Sequence, residues 1–285
     1  MGSFSILNNI SGLNAQNQLN VNHVNLSRTL LRLSSGRRIN SGADDAAGLQ
    51  IADSLRANTQ ALNQAVRNAN DGISVSQIAD GALQEVTNLL TRSVTLANEA
   101  ATETVDSTGR SSLNAEFSAI QSEIARISTQ TNFNGYGIFT TSGVNGSLSV
   151  YVGDLTGISS ISVTINTITT SSNTVTSLAG TSLVGIDLTT QDTAANSLTT
   201  IKDALNGVSN MRASIGAGIN RLQSAVAVLQ TQSQNTQAAE SSIRDANIAE
   251  EVANLTKYQI LAQSGIAALA QANSSSQTVL SLLRG

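Results

Sequence analysis

The side chains that could support catalysis or metal binding are few in this chain of 285 residues. His23 is the only histidine, the chain has no cysteine, and His23 lies far in sequence from any acid. General acid–base catalysis needs a positioned partner, and a Ser-His-Asp or thiolate metal site cannot be assembled from this inventory. We therefore expect a packed or solvated histidine, no catalytic centre, no metal and no cofactor.

Two pairs of adjacent carboxylates are the next candidates. Asp44–Asp45 and Glu250–Glu251 are sequence neighbours, and neighbouring side chains on a helix do not face each other. Neither pair has a second set of ligands nearby, as a cation site would need. Capping or surface positions are the better interpretation. The glycines of segment 215–218 lack the lysine and the preceding strand of a phosphate loop, so we interpret them as permitting close helix approach.

Long segments at both ends carry no charged side chain. Residues 1–27 and 258–283 contain no Asp, Glu, Lys or Arg, yet both repeat apolar residues at helical spacing. A net charge of −4 without a basic run gives no footprint for nucleic acid. The seven Asn and two Gln of residues 1–27 are too costly in hydrocarbon for a membrane span, and a secretory signal is absent there. The composition and periodicity of the two ends favour an interaction protein over an enzyme.

Apolar periodicity predicts the helices that carry these segments. The first has a strict 4-3 stripe, a second runs from residue 44 to about 100, and a third from about 111 to 128 packs back on the second. The last period is interrupted in character only by Arg212 and lapses in a polar interval before residue 248. If continuous, it would give one helix of roughly 110 Å over residues 198–270. The stripe of the first helix consists of Ile6, Ile10, Leu13, Asn17, Asn20, Val24, Ser27 and Leu31.

The composition between residues 135 and 191 changes to Gly, Ser, Thr, Val and Ile, with alternation typical of strands. The fold class predicted is therefore mainly α: long antiparallel helices in a coiled-coil rod, made of paired terminal helices and a helical bundle, with a small β-rich central segment. The absence of proline allows the helices to run far.

Several segments resemble those of bacterial flagellin, the subunit of the flagellar filament. They cover about residues 1–140 and 195–285, in the right order and at both ends. In the first half they are LSSG at 33–36, RINS at 38–41, DDAAG at 44–48, RNANDGIS at 67–74 and TQTNFNG at 129–135. In the second half they are QIL at 259–261, LAQAN at 269–273 and VLSLLR at 279–284.

The resemblance implies a structural subunit that polymerises for swimming motility, with terminal helices that fold on assembly. Residues 1–43 would be the N-terminal core helix and loop, 44–135 and 195–245 the two parts of the helical rod, 136–194 a β-rich outer segment and 246–285 the C-terminal core helix. It assigns the filament-core contacts to Ile6, Ile10, Leu13, Val24, Leu31, Val252, Leu255, Ile266, Leu269, Leu280 and Leu283.

The resemblance also implies partners and a location. These are other flagellin subunits in a homopolymer, an export chaperone at the C-terminal helix, the flagellar secretion apparatus, and the hook-junction and cap proteins. The protein would be extracellular, in the bacterial flagellum, and exported through the flagellar channel without a cleaved signal peptide. Neither nucleic acid as a partner nor a membrane span is expected.

Within the family, a patch on the second and third helices is read by a Toll-family innate immune receptor. The corresponding positions here are Arg92, Leu96 and Glu116, whereas residues 93–95 depart from the strongly recognised pattern. Charged residues on long helices usually occupy polar faces or rims. Lateral contacts between subunits are therefore the alternative for Arg92 and Glu116.

Two further function classes compete with the filament subunit. A hook-filament junction protein resembles flagellin at both ends but is present in few copies, and the motifs at 44–48 and 280–284 favour the filament subunit over it. An enzyme or ligand-binding site in the β-rich middle would need chemistry that this segment lacks, since it has few acids and no histidine.

Overall fold

The computed structural model describes residues 9–140, 144, 146–154, 157, 159–171, 174–184 and 186–284, without the side chains of residues 174, 276, 277 and 279–284. Within these ranges the helices are α1 (Ile10–Ser35), α2 (Ala46–Ala100), α3 (Ser107–Gln130), α4 (Gln191–Arg244) and α5 (Ile248–Arg284). In the part of the chain so described, no helix combines the length and the apolar character needed to cross a membrane.

Local capping explains where several helices begin and end. The Asn9 side chain accepts a hydrogen bond from the Gly12 amide at the start of α1, and Asp106 does the same for Gly109 at the start of α3. Helix α1 ends at Gly36, whose φ of 70° is the left-handed conformation that glycine adopts without strain. The predicted third helix is thus confirmed, with bounds a few residues wider than 111–128.

The central segment consists of short antiparallel strands, as predicted. They are β1 (Asn132–Phe133), β2 (Tyr136–Gly137), β3 (Gly146–Tyr151), β4 (Ser160–Ile165), β5 (Ile168–Ser171), β6 (Thr174–Leu178) and β7 (Thr181–Ser182). Among the described residues they form a β1–β2 hairpin, a β3–β4 hairpin and a three-stranded β5–β6–β7 sheet. The fold is therefore mainly α with a small β-rich part.

The chain divides into two compact units. The terminal unit comprises Met1–Ala57 and Asn235–Gly285, and the middle unit comprises Asn58–Gln234. Helices α2 and α4 contribute residues to both. The terminal unit thus extends beyond the predicted end segments 1–43 and 246–285.

The middle unit contains a continuous hydrophobic core. Helices α2, α3 and α4 bury the apolar seams that the periodicity predicts, and the strands add their inward-facing residues to the same cluster. Its largest fully buried side chains are Leu62, Leu83, Leu96, Ile124, Ile138, Phe139, Ile165, Leu178, Leu188, Ile201, Ile215 and Leu222.

Polar contacts show that α2 and α4 are antiparallel in the middle unit. The Arg212 Nε lies 2.8 Å from Asp80 Oδ1, and the Ser233 hydroxyl lies 3.0 Å from Asn63 Oδ1. Arg212, the exception in the apolar period of α4, thus has a carboxylate partner on α2. The hydrogen bond to Asp80 raises the pKa of the Arg212 guanidinium.

Two glycines on the long helices let the strands approach closely. A Cβ atom at Gly72 of α2 would lie 2.5 Å from a methyl carbon of Val150, and one at Gly218 of α4 would lie 2.7 Å from a methyl carbon of Val163. Helix α2 continues through Gly72 without a break. Gly218 does permit close approach, although the approaching element is strand β4 rather than a helix.

Two helices, rather than one continuous helix, carry the apolar period of residues 198–270. Helix α4 ends at Arg244 and α5 begins at Ile248. The break lies where the apolar period has lapsed, between Leu229 and Ile248. Asn247 offers a start signal that the periodicity argument missed, because its side-chain oxygen accepts a hydrogen bond from the Ala249 amide at 3.2 Å.

Candidate functional site

Helices α1 and α5 pack against each other in antiparallel order. Near one end, Asn9 Nδ2 donates to Ala272 O and Asn273 Oδ1, both at 3.3 Å. Near the other, Arg32 Nη1 lies 3.4 Å from Glu251 Oε1. The two ends of the chain therefore pair in this unit, as their shared lack of charge suggested.

The face that α1 buries is not its apolar stripe. The buried residues of α1 are Gly12, Leu19, Asn22 and Thr29, which are mostly small or polar. At 3.6 residues per turn, the predicted stripe lies on the nearly opposite face. Its described apolar members have large exposed fractions: Ile10 62%, Leu13 65%, Val24 59% and Leu31 55%.

Helix α5 divides its apolar residues between the two sides. Leu255 and Leu269 are half-buried, whereas Val252, Ile260 and Ile266 are exposed. Leu19 of α1 packs close to Gly265, where an added Cβ would lie 3.3 Å from Leu19 Cδ1. Of the remaining predicted core contacts, Ile6 and the side chains of Leu280 and Leu283 lie outside the described residues.

The terminal unit therefore presents an apolar surface that its own fold leaves uncovered. We call it the outer apolar face and define it by the exposed residues Ile10, Leu13, Val21, Val24, Leu30, Leu31, Val252, Ile260, Leu261 and Ile266. A concentration of exposed large apolar side chains in one unit is typical of interaction sites.

The loop after α1 is held by Asp44. Its Oδ2 accepts hydrogen bonds from the Asn40 amide at 3.3 Å and from the Ser41 amide and hydroxyl at 3.1 Å each. Desolvation raises the pKa of the Asp44 carboxyl, but these hydrogen bonds and the nearby Arg32 together lower it by more. The pKa therefore lies below its ordinary value of 3.8. The Asp44 carboxylate is therefore the stable form in the folded loop.

The other predicted carboxylates have separate roles. Asp45 caps α2, since its Oδ1 accepts a hydrogen bond from the Gly48 amide at 2.9 Å, which confirms the capping interpretation. Glu251 lies in the first turn of α5, where an acid favours the helix dipole, but it is buried and paired with Arg32. A surface position was the wrong expectation for Glu251.

Residues 36–38 of the same loop contact the break between α4 and α5. The Arg38 amide donates to Arg244 O at 2.7 Å, and Arg38 Nη2 donates to Ile243 O at 2.8 Å. The Ala246 amide donates to Gly36 O at 2.9 Å. The signal for these contacts in the sequence is weak, because nothing in the spacing links residue 38 to residue 243.

Arg244 ends α4 as a buried cation. Its Nη1 lies 3.0 Å from Asp53 Oδ1 and 3.8 Å from Glu240 Oε1. A buried arginine with carboxylate partners rigidly joins the elements that supply them. Arg244 therefore ties the end of α4 to the beginning of α2 inside the terminal unit.

The predicted patch on α2 and α3 is only partly a surface. Arg92 and Glu116 form an ion pair with Nη2 and Oε1 2.8 Å apart, and both side chains are about half exposed. Leu96, however, is fully buried in the core of the middle unit. Leu96 therefore contributes to that core rather than to the exposed surface of the patch.

The described residues offer little for ligand chemistry. His23 is exposed on α1, and no group of three or more His, Cys, Asp or Glu residues in the described ranges could hold a metal ion. A groove of about 400 Å³ lies between α2 and the strands of the middle unit, with an apolar lining that includes Phe133, Tyr136 and Leu148. Asp71 is the single carboxylate of this lining and no histidine accompanies it, so the groove does not assemble the partners of an acid–base site.

Comparisons with known proteins match both halves of the chain. The family model described as "Bacterial flagellin N-terminal helical region" matches residues 6–143, and "Bacterial flagellin C-terminal helical region" matches residues 198–283. The chain is 37% identical over 287 residues to Flagellin FlaB1 of Treponema pallidum, with 98% of this chain and 99% of that protein covered. It is 37% identical over 302 residues to the flagellin of Bacillus subtilis, with the same coverage of 98% and 99%.

A solved structure shares the fold. The putative flagellar hook-associated protein from Vibrio parahaemolyticus superimposes with a TM-score of 0.56 at 15% identity, over 71% of this chain and 100% of that one. At this identity the likeness shows the fold alone. It does not favour the hook-filament junction as a function.

Proposed function

Because the chain belongs to the bacterial flagellin family and is a structural subunit of the flagellar filament rather than an enzyme, we propose that the outer apolar face forms the filament core. The filament is an extracellular surface structure. In this proposal, neighbouring copies cover the face by head-to-tail contacts that do not close, which yields a fibre.

One observation carries the proposal: the apolar stripe of α1 points away from α5. A stripe that paired the two helices would have been buried between them, yet Leu13 and Val24 are among the most exposed apolar residues of the described chain. The absence of charge in residues 1–27 and 258–283 supports the same role, since a charge desolvated on all sides is costly.

The proposal includes folding on assembly. The seam between α1 and α5 contains Asn22 and Thr29, which contribute little apolar area, so the pair gains stability when neighbours cover its outer face. We expect trypsin to cleave purified monomer at Arg28, Arg32 and Lys257 and to spare these sites in the filament. Equal protection of these sites in monomer and filament would contradict folding on assembly.

A single charge on the outer apolar face tests the core assignment. Val24→Lys should raise the critical concentration for polymerisation by more than about tenfold, because each added subunit must then bury an unpaired ammonium group. The matched control is Val184→Lys, which places the same charge on a similarly exposed valine of the β-rich segment. The measurement is sedimentation of filaments over a concentration series.

Two results would contradict the core assignment. Val24→Lys could polymerise at the wild-type concentration, or both variants could fail equally. Thermal unfolding of the monomer should be unchanged in both variants, which separates an assembly defect from misfolding.

The flagellar partners beyond the filament belong to the same proposal. An export chaperone would cover the exposed apolar residues of α5, such as Val252 and Ile266, before the subunit passes through the flagellar secretion apparatus. Hook-junction and cap proteins would contact the ends of the polymer. The Arg92–Glu116 pair would lie in lateral contacts between subunits, and its half-exposed position supports that role more than receptor binding.

A further inference from the structure

Local signals at the break account for the start of α5 but not for the end of α4: Asn247 caps α5, whereas neither proline nor glycine directly follows Arg244. The chain contains no proline, and no glycine lies between Gly218 and Gly265. Helices are normally ended by such residues or by partners for their last carbonyl groups. The carbonyl groups at the end of α4 must therefore find partners elsewhere, or the helix would continue.

Those partners come from the loop that follows α1. Arg38 supplies two donors, its backbone amide to Arg244 O at 2.7 Å and its Nη2 to Ile243 O at 2.8 Å. Gly36 O accepts from the Ala246 amide at 2.9 Å, on the other side of the break. A segment more than 200 residues away in sequence thus caps one helix and turns the chain towards the next.

We propose that Arg38 is a positioning residue that sets the α4–α5 break and, through it, the register in which α5 pairs with α1. The first pairing contact after the break is Glu251 with Arg32, and Leu19 meets Gly265 further along. A helix that continued through residues 245–247 would rotate and shift these partners. The exposed apolar residues of α5 would then no longer keep their positions relative to those of α1.

The loss of the Arg38 side chain tests this role. Arg38→Ala removes the bond to Ile243 O and should raise the critical concentration for polymerisation by about tenfold, the usual scale for a charged hydrogen-bond donor. The matched control is Arg37→Ala, which removes the same charge from the same loop and leaves the backbone bridge to Asp245 in place. Arg37→Ala should stay within about twofold of wild type.

A rescue experiment distinguishes a cap from general support. Glycine disfavours a continuous helix, so Ala246→Gly should restore the break between α4 and α5 when the Arg38 side chain has been removed. We expect Arg38→Ala/Ala246→Gly to polymerise within about threefold of wild type, although the glycine replaces no contact of the arginine. Ala246→Gly alone should behave as wild type.

Disulfide formation between engineered cysteines measures the register of α5 on α1. The chain has no cysteine of its own to interfere. In filaments, the Leu19→Cys/Gly265→Cys variant should cross-link efficiently. Adding Arg38→Ala should reduce the yield of the cross-link, and adding Ala246→Gly as well should restore it.

Two results would overturn the positioning role: equal polymerisation of Arg38→Ala and Arg37→Ala, or an impaired Arg38→Ala that Ala246→Gly does not restore. If Arg38→Ala forms no filaments, the double variant Arg38→Ala/Ala246→Gly still distinguishes a cap of α4 from general support of the loop. The test does not depend on whether the terminal helices fold before or during assembly, so it can fail while the filament-core assignment stands.

Discussion

The terminal unit and the middle unit use apolar residues in opposite ways. In the middle unit, α2, α3 and α4 bury Leu, Ile and Val side chains in one cluster with the strands. In the terminal unit, the buried apolar side chains among the described residues are Leu19, Ile39 and Ala52, while the outer apolar face is exposed. The middle unit therefore encloses its apolar side chains, and the terminal unit leaves most of its large apolar side chains exposed.

The difference teaches that helical periodicity does not say what covers a stripe. The stripe of α1 and the seam of α4 have the same 4-3 spacing. The α4 seam is buried within the chain at residues such as Ile215 and Leu222, whereas the α1 stripe is open. Only the middle unit should therefore show its full stability in the monomer.

The largest expected effect comes from truncating one leucine in each unit. Leu96→Ala should lower the free energy of unfolding of the monomer by about 2–5 kcal/mol, because it leaves a cavity in the core. Leu13→Ala should change it by less than about 0.5 kcal/mol, since that side chain is already exposed. Urea denaturation of both monomers measures the difference. Equal losses would remove the contrast between the units.

A smaller effect with opposite signs is expected for two glycines of α2. Gly72→Ala should destabilise the monomer by about 1–3 kcal/mol, because the new methyl group would press on Val150. Gly81→Ala should stabilise it by about 0.4–1 kcal/mol, since nothing lies within 4 Å and alanine favours the helix. Thermal unfolding of the two variants measures the pair, and two effects of the same sign would show that the β-rich segment does not pack on α2.

The smallest effect concerns the loop of the terminal unit. Because folding lowers the pKa of Asp44 below 3.8, its stabilising contribution is complete above that pH and disappears as the pH falls through the lower, folded value. Asp44→Asn should cost filaments about 1 kcal/mol at neutral pH. It should also flatten their loss of stability below about pH 4.

The control for Asp44 is Asp203→Asn, the same change at an exposed acid of the middle unit. Turbidity of filament suspensions from pH 6 to pH 2 measures both variants. An identical acid profile for Asp44→Asn and Asp203→Asn would show that the loop carries no pH-dependent stability.

Much of the fold could be predicted because period and composition act locally. The span of α2, the antiparallel α3 and the strands β3 and β4 follow from residue spacing, whereas β1 lies before the predicted strand-rich segment of residues 135–191. The capping role of Asp45 followed from its place before the helix. The partner of Arg212 could not be predicted, because Asp80 lies 132 residues away and no spacing rule connects them.

The sequence predicts an interface on the apolar stripe of α1, and it does not give the geometry of the α1–α5 pair. Leu13, Val24 and Leu31 were assigned to an interface, and they do lie on an exposed apolar face. The face that pairs with α5 was missed, because Asn22 and Thr29 do not look like a seam in isolation. Leu96 was placed on a surface patch because sequence alone does not give its depth in the core.

The amino-acid sequence by itself determined the helical character of the ends, their lack of charge and the strand-forming middle, since these depend on each residue and its near neighbours. The tertiary structure alone decided which face of α1 meets α5, where α4 stops and how deep Leu96 lies. These features depend on contacts between residues far apart in the chain, such as Arg38 with Ile243. Such contacts contribute free energy only once the elements have packed.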